Sequence, residues 1–195
     1  MEIKKVGVVG CGIMGSGIAQ ICAQSGYQVL VSETSNDLLT KGLASISSFL
    51  LKGVERGKIT GRDRQAALNR IKGTIDIGDF KGCDFVIEAA SENLKIKKEI
   101  FAELDRVCPA YAILSTNTSA QSVIDIASVT RRPQQVLGLA GGLAQPGHRL
   151  HLRAGFDLQD RSGLRRPGKG VGPLERCLRL HGRVHQGRPP DHQRP

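Results

Sequence analysis

An α/β fold built on a doubly wound parallel sheet is predicted for residues 1–139 of this 195-residue chain. Three observations predict it. Short β-branched runs alternate with helical patterns, as they do where helices carry the crossovers of a parallel sheet. A glycine-rich break, Gly10-Cys11-Gly12, separates the first run from the first helical pattern. Later apolar runs open into polar residues at their carboxyl ends, where open α/β sheets bind ligands.

The elements follow in order. Residues 3–9 form a compact strand, and Gly10 to Gly12 ends it. Ile13, Met14, Ile18, Ile21 and Cys22 then recur on one side of a helix that stops at Gly26. Residues 27–31 read as the second strand, and 36–52 and 62–72 as helices separated by the turn-rich 57–61. A buried strand at 84–88 emerges into Ala89-Ala90-Ser91-Glu92-Asn93. Ile96, Ile100, Phe101, Leu104 and Val107 give 94–107 a helical period with lysines opposite. Residues 111–114 make another strand opening into Ser115-Thr116-Asn117-Thr118-Ser119, a short helix spans about 121–127, and 136–139 begin the last strand. There the sheet is expected to end, with an exposed edge.

Composition changes at the same place. All 15 isoleucines lie in 1–139, whereas 140–195 contain 10 of the 17 arginines, all five histidines and six of the eight prolines. Clusters such as Arg165-Arg166-Pro167-Gly168-Lys169-Gly170 interrupt any period, so an irregular basic tail is expected over 140–195. The net charge of +10 divides into +3 for 1–139 and +7 for the remainder. The patterned part is nearly balanced, which argues against a nucleic-acid partner for it. No apolar run approaches the roughly 18 residues of a membrane span, and no signal-peptide pattern opens the chain. Cys11, Cys22, Cys83, Cys108 and Cys177 are odd in number and lack CxxC spacing. Buried thiols in a reducing cytoplasm are therefore expected, with neither a disulfide framework nor a metal site.

Gly10-Cys11-Gly12-Ile13-Met14-Gly15 is a GxGxxG sequence at a strand-to-helix junction. Its first glycine allows the tight turn, its second the approach of a pyrophosphate, its third close packing of the helix. The helix start adds unpaired N–H groups and partial positive charge for the phosphates. Glu33, 23 residues after Gly10, closes the second strand. Its carboxylate suits the adenosine ribose hydroxyls and repels a 2′-phosphate, so a Rossmann-type domain binding NAD rather than NADP is expected. At the later strand ends, Glu92, Lys97, Asn117 and Ser119 are candidates to line the crevice, although Asn, Thr and Ser there also serve as ordinary helix caps.

Residues 1–139 closely resemble the nucleotide-binding domain of 3-hydroxyacyl-CoA dehydrogenases. The resemblance rests on residues 8–20 (VVGCGIMGSGIAQ), 88–104 (EAASENLKIKKEIFAEL) and 115–119, followed by Arg132-Pro133 and Val136-Leu137-Gly138-Leu139. It implies that Gly10, Cys11, Gly12, Ile13, Met14 and Gly15 hold the NAD pyrophosphate and Glu33 the adenosine ribose. It further implies that Glu92, Lys97 and Asn117 line the nicotinamide side, that Ser119 contacts the substrate's 3-oxygen, and that Asn117 and Ser119 serve catalysis. Lys52, Arg56 and Lys58 become candidates for coenzyme A, against the alternative of a solvated helix face. An acyl-CoA is the implied substrate. The 88–104 match disfavours other β-hydroxyacid dehydrogenases with the same glycine motif.

The resemblance breaks after Leu139. The family continues into His-Phe-Phe-Asn-Pro, whose histidine is the general base, with an orienting glutamate twelve residues later. Here Ala140 stands at the base's position and Leu152 at the glutamate's. The helical domain that in the family closes over acyl-CoA and forms the dimer has no counterpart in 140–195. The abrupt compositional change is what a shifted reading frame would produce. Read one base later, codons for Gln145-Pro146-Gly147 can encode Asn-Pro-Val, and those for 186–190 can encode Lys-Asp-Ala-Pro, both family-like. The expectation is an NAD-binding domain impaired in catalysis. A reading of another class is a non-catalytic module whose basic tail binds a polyanion. Phe156 is the tail's only aromatic residue, which leaves little base stacking.

Overall fold

The computed structural model describes residues 3–140 and the backbone of a short strand at 151–154. The elements run β1 (Lys5–Val9), α1 (Ile13–Gln24), β2 (Gln28–Ser32), α2 (Asn36–Glu55), α3 (Gly61–Asn69), β3 (Ile71–Thr74), β4 (Phe85–Glu88), α4 (Leu94–Val107), β5 (Ile113–Thr116), α5 (Val123–Ala127), β6 (Val136–Ala140) and β7 (His151–Ala154). They form one sheet in the order β3-β2-β1-β4-β5-β6-β7. The first six strands are parallel, as the alternating pattern requires, and β7 joins β6 antiparallel.

Period-two alternation in strands buried on both faces explains the two-layered core. Val6, Val8, Val29, Val31, Phe85, Ile87, Ile113 and Leu137 face α1, α2 and α3, through Ile18, Cys22, Ile46, Leu50 and Ala67. Their neighbours Val9, Leu30, Val86, Leu114 and Val136 face the other way, onto Phe101 and Leu104 of α4 and Ile126 of α5. Phe101 and Leu104 are wholly enclosed. Burial of that kind contributes about 1.5–3 kcal/mol per side chain, which anchors α4 beneath the crevice.

The helices begin at side-chain caps that the sequence supplies. The hydroxyl of Ser35 accepts from the Leu38 amide, and the Asn93 side-chain oxygen Oδ1 accepts from the amides of Lys95 and Ile96. At α3, Thr60 and Asp63 cap each other reciprocally, and the hydrogen bonds from Thr60 hold the Asp63 carboxyl below its ordinary range. The start of α1 is different: Gly12 gives it no side-chain cap.

Two expectations need correction, and one segment was not foreseen. The helix read over 62–72 stops at Asn69, and Ile71–Thr74 is an edge strand pairing with β2. A 3₁₀ segment at Ile77–Gly82, which carries buried Phe80, also escaped the periodicity. Finally, the sheet does not end at β6. Backbone pairing from Leu137 opposite Ala154 to Ala140 opposite His151 adds an antiparallel strand. Four alternating residues, His151-Leu152-Arg153-Ala154, are enough for a ladder but too few to stand out as a period. The rest of the tail expected to be irregular lies outside the described residues, as does Cys177. Among the described residues, no helix is long and apolar enough to cross a membrane.

Candidate nucleotide-binding site

Strand register fixes the site. Thr74, Ser32, Val9, Glu88, Thr116 and Gly138 lie in one row across six strands. The residues that follow them, including Glu33, Gly10, Ala89 and Asn117, leave the sheet along a single carboxyl edge. Chain order reverses between β1 and β4, which opens the crevice where this architecture binds ligands.

The glycine loop is shaped for close backbone approach. Gly10 has φ +92, a left-handed conformation that side chains rarely adopt, and a Cβ there would sit 2.8 Å from the Ala89 carbonyl oxygen. A Cβ on Gly15 would lie 1.8 Å from the carbonyl oxygen of Gly10, so α1 can start here only on glycine. Gly12, by contrast, faces open space, with nothing within 4 Å of its Cβ position. The absence of a side-chain cap leaves the first turn of α1 available, and Ile13 is 87% exposed. An open, uncapped helix start behind two glycines that tolerate no Cβ fits a pyrophosphate. Cys11 points inward instead, and burial, with the Glu33 charge beside it, pushes its thiol up to about 11.

Glu33 sits against this loop. One carboxylate oxygen accepts from the Cys11 amide at 2.6 Å, and the other from the Thr34 amide at 3.1 Å. Glu33 and the glycine motif, 22 residues apart at this contact, are thus brought together. Gly42 contributes a feature that the sequence did not reveal. A Cβ there would fall 2.3 Å from the Cys11 sulfur, so α2 seats directly on the loop. A glycine inside a helical pattern carries no local sign of such a neighbour.

On the other side of the crevice the residues are held differently from expectation. Lys97 was expected to line the cleft, yet its side chain is fully buried. Its ammonium nitrogen lies 2.9 Å from each carboxylate oxygen of Glu88, itself wholly enclosed. The cause is position on α4: Lys97 occupies an inward face above β4, where the enclosed Glu88 carboxylate neutralises its ammonium. Glu92 is exposed, and its carboxylate accepts the Thr118 hydroxyl at 2.7 Å while its carbonyl accepts from the Gln121 side chain at 3.0 Å. Thr118 also accepts from the amides of Ala120 and Gln121, so capping and crevice-lining coexist in the 117–121 turn. Asn117 is half-buried and Ser119 exposed on the same turn. Lys52, Arg56 and Lys58 are all exposed. At 1.5 Å of rise per residue, Lys52 lies roughly 15 Å along α2 from the Gly42 contact, and its ammonium stacks 5.9 Å from the Phe49 ring. Ala140 closes β6, two residues past Gly138 in the register row, at the same carboxyl edge.

The fold and this loop define the class: a Rossmann-type dinucleotide-binding domain. The comparisons narrow it. Residues 5–140 match the sequence profile of the 3-hydroxyacyl-CoA dehydrogenase NAD-binding domain. A probable 3-hydroxybutyryl-CoA dehydrogenase of Bacillus subtilis is 40% identical over 139 residues, which cover 71% of this chain and 48% of that protein. The 3-hydroxybutyryl-CoA dehydrogenase of Mycobacterium tuberculosis is 45% identical over 138 residues, covering 70% and 48%. The crystal structure of (S)-3-hydroxybutyryl-CoA dehydrogenase from Ralstonia eutropha superposes with a TM-score of 0.74 at 36% identity, over 77% of this chain and 54% of that one. The chain therefore belongs to the 3-hydroxyacyl-CoA dehydrogenase family, through its NAD-binding domain. It spans about half the length of the curated relatives it matches.

Proposed function

We propose that this chain binds NAD across the β1/β4 crevice and is impaired in the family's reaction, the interconversion of a short-chain (3S)-3-hydroxyacyl-CoA and its 3-oxo form. The observation that carries the reading is the cradle: a Cβ on Gly15 would lie 1.8 Å from the Gly10 carbonyl oxygen, beside a helix start without a side-chain cap. Residues 10–15 hold the pyrophosphate there, and Glu33 turns from the Cys11 amide to the adenosine ribose. Asn117, Ser119 and Glu92 serve the nicotinamide and substrate side, and Lys52, Arg56 and Lys58 are the basic groups on hand for a coenzyme A phosphate. When bound, NAD supplies the hydride acceptor. The chain's own task would be to take the hydroxyl proton, and at the position of the family's base it offers Ala140, whose methyl group accepts none. Loss of general-base assistance typically costs about 10²–10⁴-fold in rate.

The compositional change at residue 140 supports a second proposal, that 140–195 are out-of-frame translation rather than a selected sequence. The nucleotide sequence over codons 135–195, read in three frames, tests it: a family-like alternative frame is expected, and its absence removes the idea. Calorimetric titration with NADH tests the binding. Heat of binding with NADH, weaker binding of NADPH, and no turnover of acetoacetyl-CoA are expected. No heat with NADH would sink the binding claim, and family-like turnover would sink the claim of impairment.

A further inference from the structure

The buried carboxylate of Glu88 accepts four hydrogen bonds from three partners: Ala90 in the loop after β4, Lys97 on α4 and Thr116 on β5. Its Oε1 accepts from the Ala90 amide at 2.8 Å and from the Lys97 ammonium at 2.9 Å. Its Oε2 accepts the Thr116 hydroxyl at 2.7 Å and the same ammonium at 2.9 Å. The backbone adds to this: the Glu88 carbonyl accepts from the Asn117 amide at 2.8 Å, and the next residue's amide, Ala89, donates to Val9. One enclosed side chain thus ties the end of β4, the first turns of α4, the end of β5 and the 89–93 loop. That loop carries Glu92, and the strand end held through Thr116 leads into Asn117 and Ser119. A second bond, Thr118 to Glu92, joins the same two loops above. The 89–90 backbone also touches the glycine loop, where it is the surface that a Cβ on Gly10 would strike.

An ion pair with no exposed atom is a weak source of net stability, because desolvation offsets its attraction. Two such charges beneath a crevice call for another account. We propose that Glu88 is a positioning residue for the nicotinamide half of the site. It sets the 89–93 loop through the Ala90 amide and the 117–119 turn through the Thr116 hydroxyl, with Lys97 as its counter-ion. The proposal rests on the NAD reading above. The adenosine half is held by the glycine loop and by Glu33 on the β1–β2 side, whose carboxylate bonds to the Cys11 and Thr34 amides and not to Glu88.

Two paired variants separate positioning from simple charge pairing. Glu88→Met with Lys97→Met removes both charges and the acceptor for the Ala90 amide. Glu88→Gln with Lys97→Met also removes both charges but keeps an acceptor oxygen. Each is titrated calorimetrically with NADH and with ADP-ribose, which lacks the nicotinamide. The Met/Met protein should bind NADH about tenfold more weakly and ADP-ribose within about twofold of the parent. The Gln/Met protein, which carries the same loss of Lys97, should bind NADH several-fold more tightly than the Met/Met protein. Equal loss of both ligands in the Met/Met protein, or identical behaviour of the two doubles, overturns the proposal while leaving NAD binding intact. If Met/Met does not fold, Thr116→Val, which deletes one bond to Oε2, carries the test: it should weaken NADH selectively, and an unchanged ratio of the two affinities overturns the proposal. Equal affinity of the parent for NADH and ADP-ribose likewise overturns it. A parent that binds neither ligand overturns the NAD reading itself.

Discussion

At the scale of single residues, the glycine loop makes the sharpest demands. Gly15→Ala places a methyl group 1.8 Å from a backbone oxygen, and because the obstacle is backbone, no rotamer change relieves it. The start of α1 must move away from β1, and the amides that would meet a pyrophosphate move with it. NADH affinity should fall more than tenfold, measured by nicotinamide fluorescence, and an affinity within twofold of the parent would refute the cradle geometry. Glu33 makes a different demand. Glu33→Ala removes an acceptor of the Cys11 amide and the charge expected to exclude a 2′-phosphate. A charged hydrogen bond contributes about 1.5–3 kcal/mol, so NADH binding should weaken about tenfold while the NADH/NADPH ratio moves toward one. These two positions were legible in the sequence because the motif is local and its spacing to Glu33 is set by one βαβ unit. Lys97 was legible only in part. Its spacing put it at the correct turn of α4, but whether an ammonium faces the crevice or the core depends on Glu88, nine residues away on another element.

Among the elements, α4 was read with its observed bounds, since amphipathic period and the Asn93 cap both mark it. What holds its far end was invisible. Asp105 accepts from the amide and guanidinium of Arg131 and from the guanidinium of Arg132, 26 and 27 residues later. Arg132 also donates to the carbonyls of Asp105, Cys108 and Pro109. No sequence pattern announces a pairing between a helix end and a turn beyond the next strand. Burial pushes the Asp105 carboxyl up, but the bonds from Arg131 and Arg132 outweigh it and hold it below its ordinary value. Because the folded state depresses this pKa, the stabilisation is present above the unfolded value of about 3.9 and is lost as pH falls through the folded value. Asp105→Asn should cost about 3 kcal/mol near neutrality. Thermal melts of both proteins across pH should show the difference in Tm shrinking below about pH 4. A difference that stays constant into acid would mean the carboxylate charge is not what holds the helix end. Strand β3 was missed for a related reason: Ile71-Lys72-Gly73-Thr74 has a single large apolar residue, and its pairing is dictated by β2 and by Leu39 and Leu43 of α2, which pack where a Cβ on Gly73 would go.

At the scale of the whole molecule, the binding apparatus and the compositional boundary are separable. Every group named for the dinucleotide, from Gly10 to Ser119, lies within the six parallel strands, the loops leaving their carboxyl ends and the first turns of α1 and α4. The described part of the chain beyond Ala140 is a four-residue strand paired with β6 and separated from β1 by β4, β5 and β6. It closes the ladder at Leu137–Ala140 and touches the sheet on the side remote from Glu33. Removing residues 141–195 should therefore leave NADH affinity within about threefold of the full chain, since a crevice built by β1, β2, β4 and β5 keeps all its walls. The same cut uncovers the outer edge of β6, a row of unpaired backbone groups that invites association with another copy. The shortened protein should accordingly melt lower and self-associate as its concentration rises. Calorimetry with NADH, light scattering and thermal melts on both forms check the three outcomes together. A loss of NADH affinity beyond tenfold would mean that the segment after residue 140 takes part in the site, and the division of this chain at its compositional boundary would then be wrong.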